Sequence, residues 1–336
     1  MKNIALIACT NGYGHIRRLL YISQSFKRKD VQPFLFAPEK VTRYLGKKFG
    51  IKLPIIIDFD TQTKIDDWKN GRASDWINKI EDLSKFDSVL SDNLIDVLIL
   101  RPDAWLCGSF FWHEGLDGIS QIIVKKQKSL LLSYKPNIFS SSIFTSKILM
   151  NYENVHRVGL FGKVYKLKKN LKTNALIAMG KGGIIPEKAA LFVKNISLNE
   201  KIPFDTVWVD DVLLPKSYPH WMKSAQFDSK MFENLKFAII RPGIGTVTEA
   251  ILTGAIIFSF YEKNNLEMKE NAKIIEKINL GFDCKTLSLA WRKALQYVND
   301  NKQKLTKKNI SNSFDPTGGD DVAKRIIKNY NGVRFV

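Results

Sequence analysis

Short apolar runs alternate with longer amphipathic stretches along the whole chain. Runs such as 3–9 and 175–179 are almost uniformly apolar, as strands are when both faces of a parallel sheet are covered. The stretches between them space their apolar positions three and four apart, as helices lying on a sheet do. This alternation predicts βαβ units and an α/β fold. In the first half it predicts strands over 3–9, 33–36, 55–58, 97–100, 104–107, 130–134 and 156–158, and helices over 16–27, 75–94 and 116–126. A lysine- and asparagine-rich stretch, 163–174, interrupts the pattern, which then restarts. The second half reads as strands over 175–179, 206–209, 237–240 and 256–260, with helices over 186–194, 246–252, 266–278, 291–299 and 323–331.

At 336 residues the chain exceeds what one hydrophobic core usually serves, and the restart divides it in two. The expected organisation is a Rossmann-like domain over 1–160, a linker over 161–174, a second Rossmann-like domain over 175–315 and a terminal helix over 316–336. With 45% hydrophobic and 25% charged residues, the composition is that of a globular protein. No segment reaches the roughly 18 uninterrupted apolar residues of a membrane span. The apolar start is too short for a secretory signal and reads as a strand. The expectation is a cytoplasmic protein, or one peripheral on the inner face of the membrane.

Cys9, Cys107 and Cys284 are odd in number and widely spaced, with no CxxC pair, which argues against a disulfide framework or structural zinc. The net charge of +19 favours anionic partners. It is spread: residues 1–170 carry 27 Lys and Arg against 16 Asp and Glu, and residues 171–336 carry 25 against 17. The densest run, Lys163, Lys166, Lys168, Lys169 and Lys172, falls in the linker. Solvated surface lysines and a functional patch both account for the excess. No nucleic-acid-binding motif accompanies it, so nucleic acid is not an expected partner.

Two glycine-rich corners carry candidate chemistry. The first is Thr10-Asn-Gly12-Tyr-Gly14-His15-Ile-Arg17-Arg18, between the first strand and first helix. The dinucleotide fingerprint fails here, because Arg17 stands where the third glycine belongs. His15 lies at the mouth of the turn, where an imidazole can take a proton from a hydroxyl; capping or packing the helix is the other reading of the same position. The second corner is Arg241-Pro-Gly243-Ile-Gly245-Thr246-Val-Thr-Glu249. Its strand ends in a glycine turn and a helix starts at Thr246, so free amides and the positive helix end make a seat for a phosphate group. Glu249, a turn further on, is placed for a ribose diol, and Arg241 either adds charge or braces the loop. Glu267 and Asn271 follow the next strand at the same sheet edge and suit sugar hydroxyls. A third loop, Gly180-Lys-Gly182-Gly183, lacks a Walker pattern; Lys181 is either a phosphate contact or a solvated turn residue. Asp92 and the run Asp103 to Glu114, including Trp112 and His113, follow first-half strands. They read either as an acceptor pocket or as core aromatics.

The run Arg241 to Glu249 with Gly254, Glu267, Asn271, Ala272 and Gly281 resembles the donor-binding signature of GT-B glycosyltransferases. It is most similar to family 28, with its peptidoglycan N-acetylglucosaminyltransferase, and to the UDP-glycosyltransferases. Gly12-Tyr-Gly14-His15-Ile-Arg17 resembles the acceptor-side loop of these enzymes, and Val158-Gly-Leu-Phe161 the start of their linker. The resemblance implies a GT-B fold of two facing Rossmann-like domains, with a C-terminal helix crossing back to the first. It implies a nucleotide-sugar donor, of UDP type, and a hydroxyl acceptor on a glycan, lipid-linked or other anionic molecule, with contact to an anionic membrane surface. It also implies metal-independent, inverting transfer, with no bound metal and no cofactor. In this reading His15 is the base, and Gly12, Gly14, Arg17, Asp92 and His113 line the acceptor side. Gly180, Gly182, Gly183, Arg241, Gly243, Gly245, Thr246, Glu249, Glu267 and Asn271 hold the donor. The family's acid–Gln pair stands here as Glu267-Met268, so the amide that contacts the sugar is absent. The His15 loop is also similar to that of nucleotide-sugar hydrolases of the pseudaminic acid pathway, which leaves hydrolysis as the alternative activity.

Overall fold

Residues 2–115, 118–165, 173–180, 186–199, 201–299 and 314–332 are described by a computed structural model. They fall into two compact units, Met1–Gly162 with Pro316–Val336, and Lys163–Asp315. The first unit runs β1 (Lys2–Ala8), α1 (Tyr13–Lys27), β2 (Val31–Phe36), α2 (Glu39–Phe49), β3 (Ile55–Ile57), α3 (Ile65–Lys69), β4 (Ser88–Asp92), β5 (Trp105–Cys107), α4 (Trp112–Gly115), α5 (Gln121–Tyr134), β6 (Ile138–Ser141) and β7 (Val155–Val158). The second runs β8 (Asn174–Ala178), α6 (Pro186–Ile196), β9 (Thr206–Val209), β10 (Met222–Ser224), α7 (Ser229–Glu233), β11 (Phe237–Ile240), α8 (Ile244–Leu252), β12 (Ile256–Phe260), α9 (Leu266–Lys277), β13 (Gly281–Lys285) and α10 (Leu287–Asn299). A terminal helix, Gly318–Gly332, returns to the first unit.

Both sheets are parallel. The first has the order β3-β2-β1-β4-β5-β6-β7 and the second β10-β9-β8-β11-β12-β13. The central strands are apolar because helices cover both faces: Ile4 to Ala8 and Ala175 to Ala178 are buried throughout. The second core is built on stacked and edge-on aromatics, with Phe237 5.7 Å from Phe204 and Phe258 5.3 Å from Phe282. The terminal helix packs on α1 so closely that a Cβ on Gly319 would lie 2.9 Å from Ser25 Oγ. A Cβ on Gly318 would run into the Gly159 carbonyl. Arg28 binds Asp320 (2.6 Å) and the Gly159 amide donates to Asp321 (3.0 Å), fixing the helix at both edges.

Several elements differ from the sequence pattern. The expected helix over 75–94 is a single 3₁₀ turn, Asp75–Asn78, followed by the central strand β4. Ser88, Ser91 and Asp92 disguised that strand as amphipathic; all three are buried, with Ser91 Oγ donating to the Leu94 carbonyl (3.0 Å). The strand expected over 130–134 is the last turn of α5, and Pro136 postpones β6 to Ile138. Residues 97–100 lie in a 3₁₀ turn, not a strand. Gly281 opens β13, a strand absent from the sequence pattern, and a Cβ there would collide with the Ile257 carbonyl.

Candidate active site

Each sheet reverses its winding between two neighbouring strands, β1 and β4 in the first unit and β8 and β11 in the second. Open α/β sheets bind ligands beyond the carboxyl ends of their strands at such a point. His15 and Asp92 in the first unit, and Gly180 and the Arg241–Thr246 turn in the second, end or follow the strands that flank these points.

In the first unit the loop after β1 is tied to the segment after β3. The Thr10 amide donates to Thr61 Oγ1 (3.1 Å), and Asn11 Nδ2 donates to the Thr63 carbonyl (2.7 Å) while its Oδ1 accepts from the Thr63 amide (3.1 Å). These bonds fix where α1 starts. Gly12 is its extended N-cap, without a side-chain cap, and a Cβ on Gly14 would meet nothing within 4 Å. The corner is open beside the helix start.

His15, one residue on, points its ring at Asp92, which β4 presents from the neighbouring strand. His15 Nδ1 is 2.9 Å from Asp92 Oδ1. Arg18 closes the cluster, with Nε 2.6 Å from Oδ2 and a terminal nitrogen 2.7 Å from Oδ1 of the same carboxylate. Asp92 is wholly buried. Burial alone would raise its pKa, but the Arg18 guanidinium and the His15 ring reverse this and hold it below the ordinary carboxylate value. An anionic Asp92 can only accept, so its 2.9 Å contact favours the proton on Nδ1, a nitrogen that also lies 3.2 Å from an Arg18 terminal nitrogen, and in that tautomer of the neutral ring Nε2 carries the lone pair. The His15 side chain is 15% exposed. A largely buried imidazole, aligned by an ionised carboxylate and carrying its lone pair on the other edge, is equipped to take a proton from a hydroxyl.

Two acceptor-side expectations change. Arg17 is buried and lies over the Phe49 ring, 4.7 Å from its centroid, so it packs against the end of α2 while Arg18 does the work at Asp92. The signal was in the sequence, because residues three apart share a helix face and residues two apart do not. His113 turns inward: its side chain is fully buried and its ring is parallel to that of Phe111. Desolvation pushes its pKa down to about 4, which suits a neutral interior ring rather than a sugar-facing wall. Trp112, its neighbour, stays by the cluster, 6.0 Å from the His15 ring and donating its indole N–H to Cys9 Sγ (3.3 Å).

In the second unit β11 delivers Arg241 and the Pro242-Gly243 turn to the start of α8. Gly243 is the N-cap and no side chain caps the helix. Gly243, Ile244, Gly245 and Thr246 are half-buried, so the helix end is not packed shut, and its first amides lie outside the α-helical ladder. The loop is braced from behind. Asn271 Nδ2 on α9 donates to the Pro242 carbonyl (2.9 Å), and Arg241 Nε pairs with Glu262 (2.7 Å). Asn271 is thus a support of the turn, buried at 5% exposure, instead of an exposed sugar contact. Glu267 stands half-buried in the first turn of α9, whose N-cap Asn265 accepts from the Met268 amide (3.0 Å). Gly180, at the end of β8, takes a left-handed φ of 72° and donates its amide to Asp210 (3.2 Å). Lys181, Gly182 and Gly183 lie outside the described residues.

Glu249 is the residue whose surroundings sequence could not foretell. Its side chain is wholly buried, and its carboxylate accepts the Tyr165 hydroxyl from the segment that opens the second unit. Nothing in the spacing links two residues 84 apart.

No protein-family model matches the chain, and no curated protein matches it in sequence. Its likenesses are among solved structures. It is similar to CalG4, the calicheamicin glycosyltransferase, with a TM-score of 0.62 at 14% identity over 99% of both chains. It is similar to MurG of Acinetobacter baumannii, with a TM-score of 0.60 at 14% identity over 98% of this chain and all of that one. It is similar to SsfS6 of Streptomyces sp. SF2575, solved with thymidine diphosphate, with a TM-score of 0.58 at 14% identity over 98% of this chain and all of that one. The chain therefore has the GT-B fold. Two Rossmann-like units and a terminal helix returning to the first make up that fold here over nearly the whole length.

Proposed function

We propose that this protein transfers a sugar from a nucleotide-diphosphate donor, a UDP-sugar in this reading, to an acceptor hydroxyl. The observation that carries the proposal is the uncapped, half-open start of α8 at the winding reversal of the second sheet. Its amides and dipole receive a pyrophosphate, and they do so without a resident metal or cofactor. His15 Nε2 takes the acceptor proton as the acceptor oxygen attacks the anomeric carbon. The bond to the departing diphosphate breaks with its electron pair, and the new charge is received at the α8 amides. A single displacement of this kind inverts the anomeric centre. Asp92 stabilises the imidazolium that forms, and Arg18 keeps Asp92 ionised and in place.

The acceptor in this reading is a glycan, lipid-linked or other anionic molecule at a membrane surface. Residues 118–152 of the first unit support it: they hold five lysines and no acidic residue, and α5 leaves Ile122 and Leu132 exposed. Among the described residues no helix is long and apolar enough to cross a membrane.

Thermal unfolding with a panel of nucleoside diphosphates tests the donor site. Near 100 Kd a ligand of the native state adds about 2.7 kcal/mol, so UDP raises Tm by several degrees. His15→Ala should keep that shift and lose about 10²- to 10⁴-fold in turnover of the nucleotide sugar. Absence of a shift with every nucleotide sinks the proposal. Consumption of the UDP-sugar with water alone as acceptor, at the full rate, replaces transfer by hydrolysis.

A further inference from the structure

We infer that Tyr165 is an internal competitor of the donor: its phenol holds the Glu249 carboxylate that the ribose diol takes, so Tyr165 sets the affinity for nucleotide. The inference rests on the donor reading above and concerns how that site is filled when empty of ligand.

Glu249 sits in the second turn of α8, just behind the amides assigned to the pyrophosphate, and has no exposed surface. A ligand hydroxyl reaches an enclosed carboxylate only after a neighbour moves. The helix that carries it packs on β11 and β12, regular elements that move at high cost. Tyr165, by contrast, belongs to an irregular stretch, and Val164 beside it is 80% exposed. Tyr165 itself is buried, with its ring 6.2 Å from that of Phe232 and the Lys163 ammonium 5.3 Å above it. Lys163 in turn donates to Ser229 Oγ, which anchors the stretch.

The exchange is chemically even. A phenol and a ribose hydroxyl each offer one O–H donor on a ring, so the diol replaces the hydrogen bond that the carboxylate loses with the phenol. Nucleotide binding in this protein therefore includes removal of Tyr165 from Glu249. The apparent affinity is reduced by the fraction of molecules in which the phenol is in place.

Calorimetric titration with UDP and with 2′,3′-dideoxyuridine diphosphate separates the possibilities. Tyr165→Phe keeps the ring and loses the competing hydroxyl. UDP should bind this variant about tenfold tighter, while the dideoxy analogue, which has no diol to offer Glu249, gains nothing. The free variant should melt lower than wild type, because its carboxylate has lost a donor. Lys163→Met, which loosens the stretch without touching Glu249, should move UDP affinity the same way by a smaller factor. Unchanged or weaker UDP binding in Tyr165→Phe overturns the competition, and so does an equal gain for both ligands. If wild type and variants all ignore UDP, the donor reading itself falls, a result distinct from tight wild-type binding that Tyr165→Phe leaves alone.

Discussion

The β1–α1 corner of the first unit and the β11–α8 corner of the second each flank the winding reversal of their sheet, on opposite sides of it, in sheets whose first six strands follow the same order. They are made of different materials. The first is built from side chains that lock one another, with His15 and Arg18 both on a buried Asp92. The second is built from backbone, a proline–glycine turn and open helix amides, with Asn271 and Arg241 as props behind it. The difference matches two chemical tasks. Moving a proton needs a titratable group with a fixed partner, whereas seating a pyrophosphate needs several donors that cannot titrate. One topology thus yields a reactive corner and a receptive one.

If that contrast is right, truncating side chains should hurt the first corner far more than the second. The largest effect is expected at Asp92. Asp92→Asn leaves Arg18 buried without its counter-charge and frees the His15 tautomer, so turnover should fall by about 10³- to 10⁴-fold. Removing one partner of a buried ion pair should also cost about 3–5 kcal/mol in urea unfolding. Because the folded pKa of Asp92 is lowered, its contribution is full above the ordinary carboxylate value near ~4 and is lost as pH falls through the folded value. The variant should lack that acid-side loss.

Next comes His113, which the structure separates from the reactive corner. Its folded pKa of about 4 lies below the ordinary histidine value, so the unfolded chain binds the extra proton first. Stability should be full above about pH 6.5 and should fall by about 2–3 kcal/mol as pH drops toward 4. His113→Gln should flatten that limb of the pH–stability curve while leaving turnover at neutral pH within a few-fold. A collapse of turnover with unchanged stability would return His113 to the site.

The smallest effect belongs to the receptive corner. Asn271→Ala removes one prop of the Pro242 turn, so stability should drop by about 1 kcal/mol and UDP should bind less than about tenfold more weakly. A loss as large as that of Asp92→Asn would erase the contrast.

Much of the receptive corner was legible in the sequence because it is local. Strand, Pro-Gly turn and helix start lie within a dozen residues, and a helix end exposes its amides whatever the rest of the molecule does. The reactive corner was only half legible. His15 was visible from its glycine turn, but the strand carrying Asp92 hid behind its own polar residues, of which Asp92 is satisfied by Arg18 and His15 and Ser91 by the Leu94 carbonyl. Arg17 and Arg18 could be told apart by helix geometry, and His113 could not, since its inward turn depends on Phe111.

By itself the sequence determined the two-unit α/β architecture and the two glycine corners. Each follows from periodicity or from backbone chemistry acting over a few residues. Only the tertiary structure decided which charged groups meet. Arg18 on Asp92, Asn271 under Pro242 and Tyr165 on Glu249 join residues 74, 29 and 84 positions apart. A buried hydrogen bond between such residues depends on burial and direction that the whole packed unit supplies, and no local pattern encodes it.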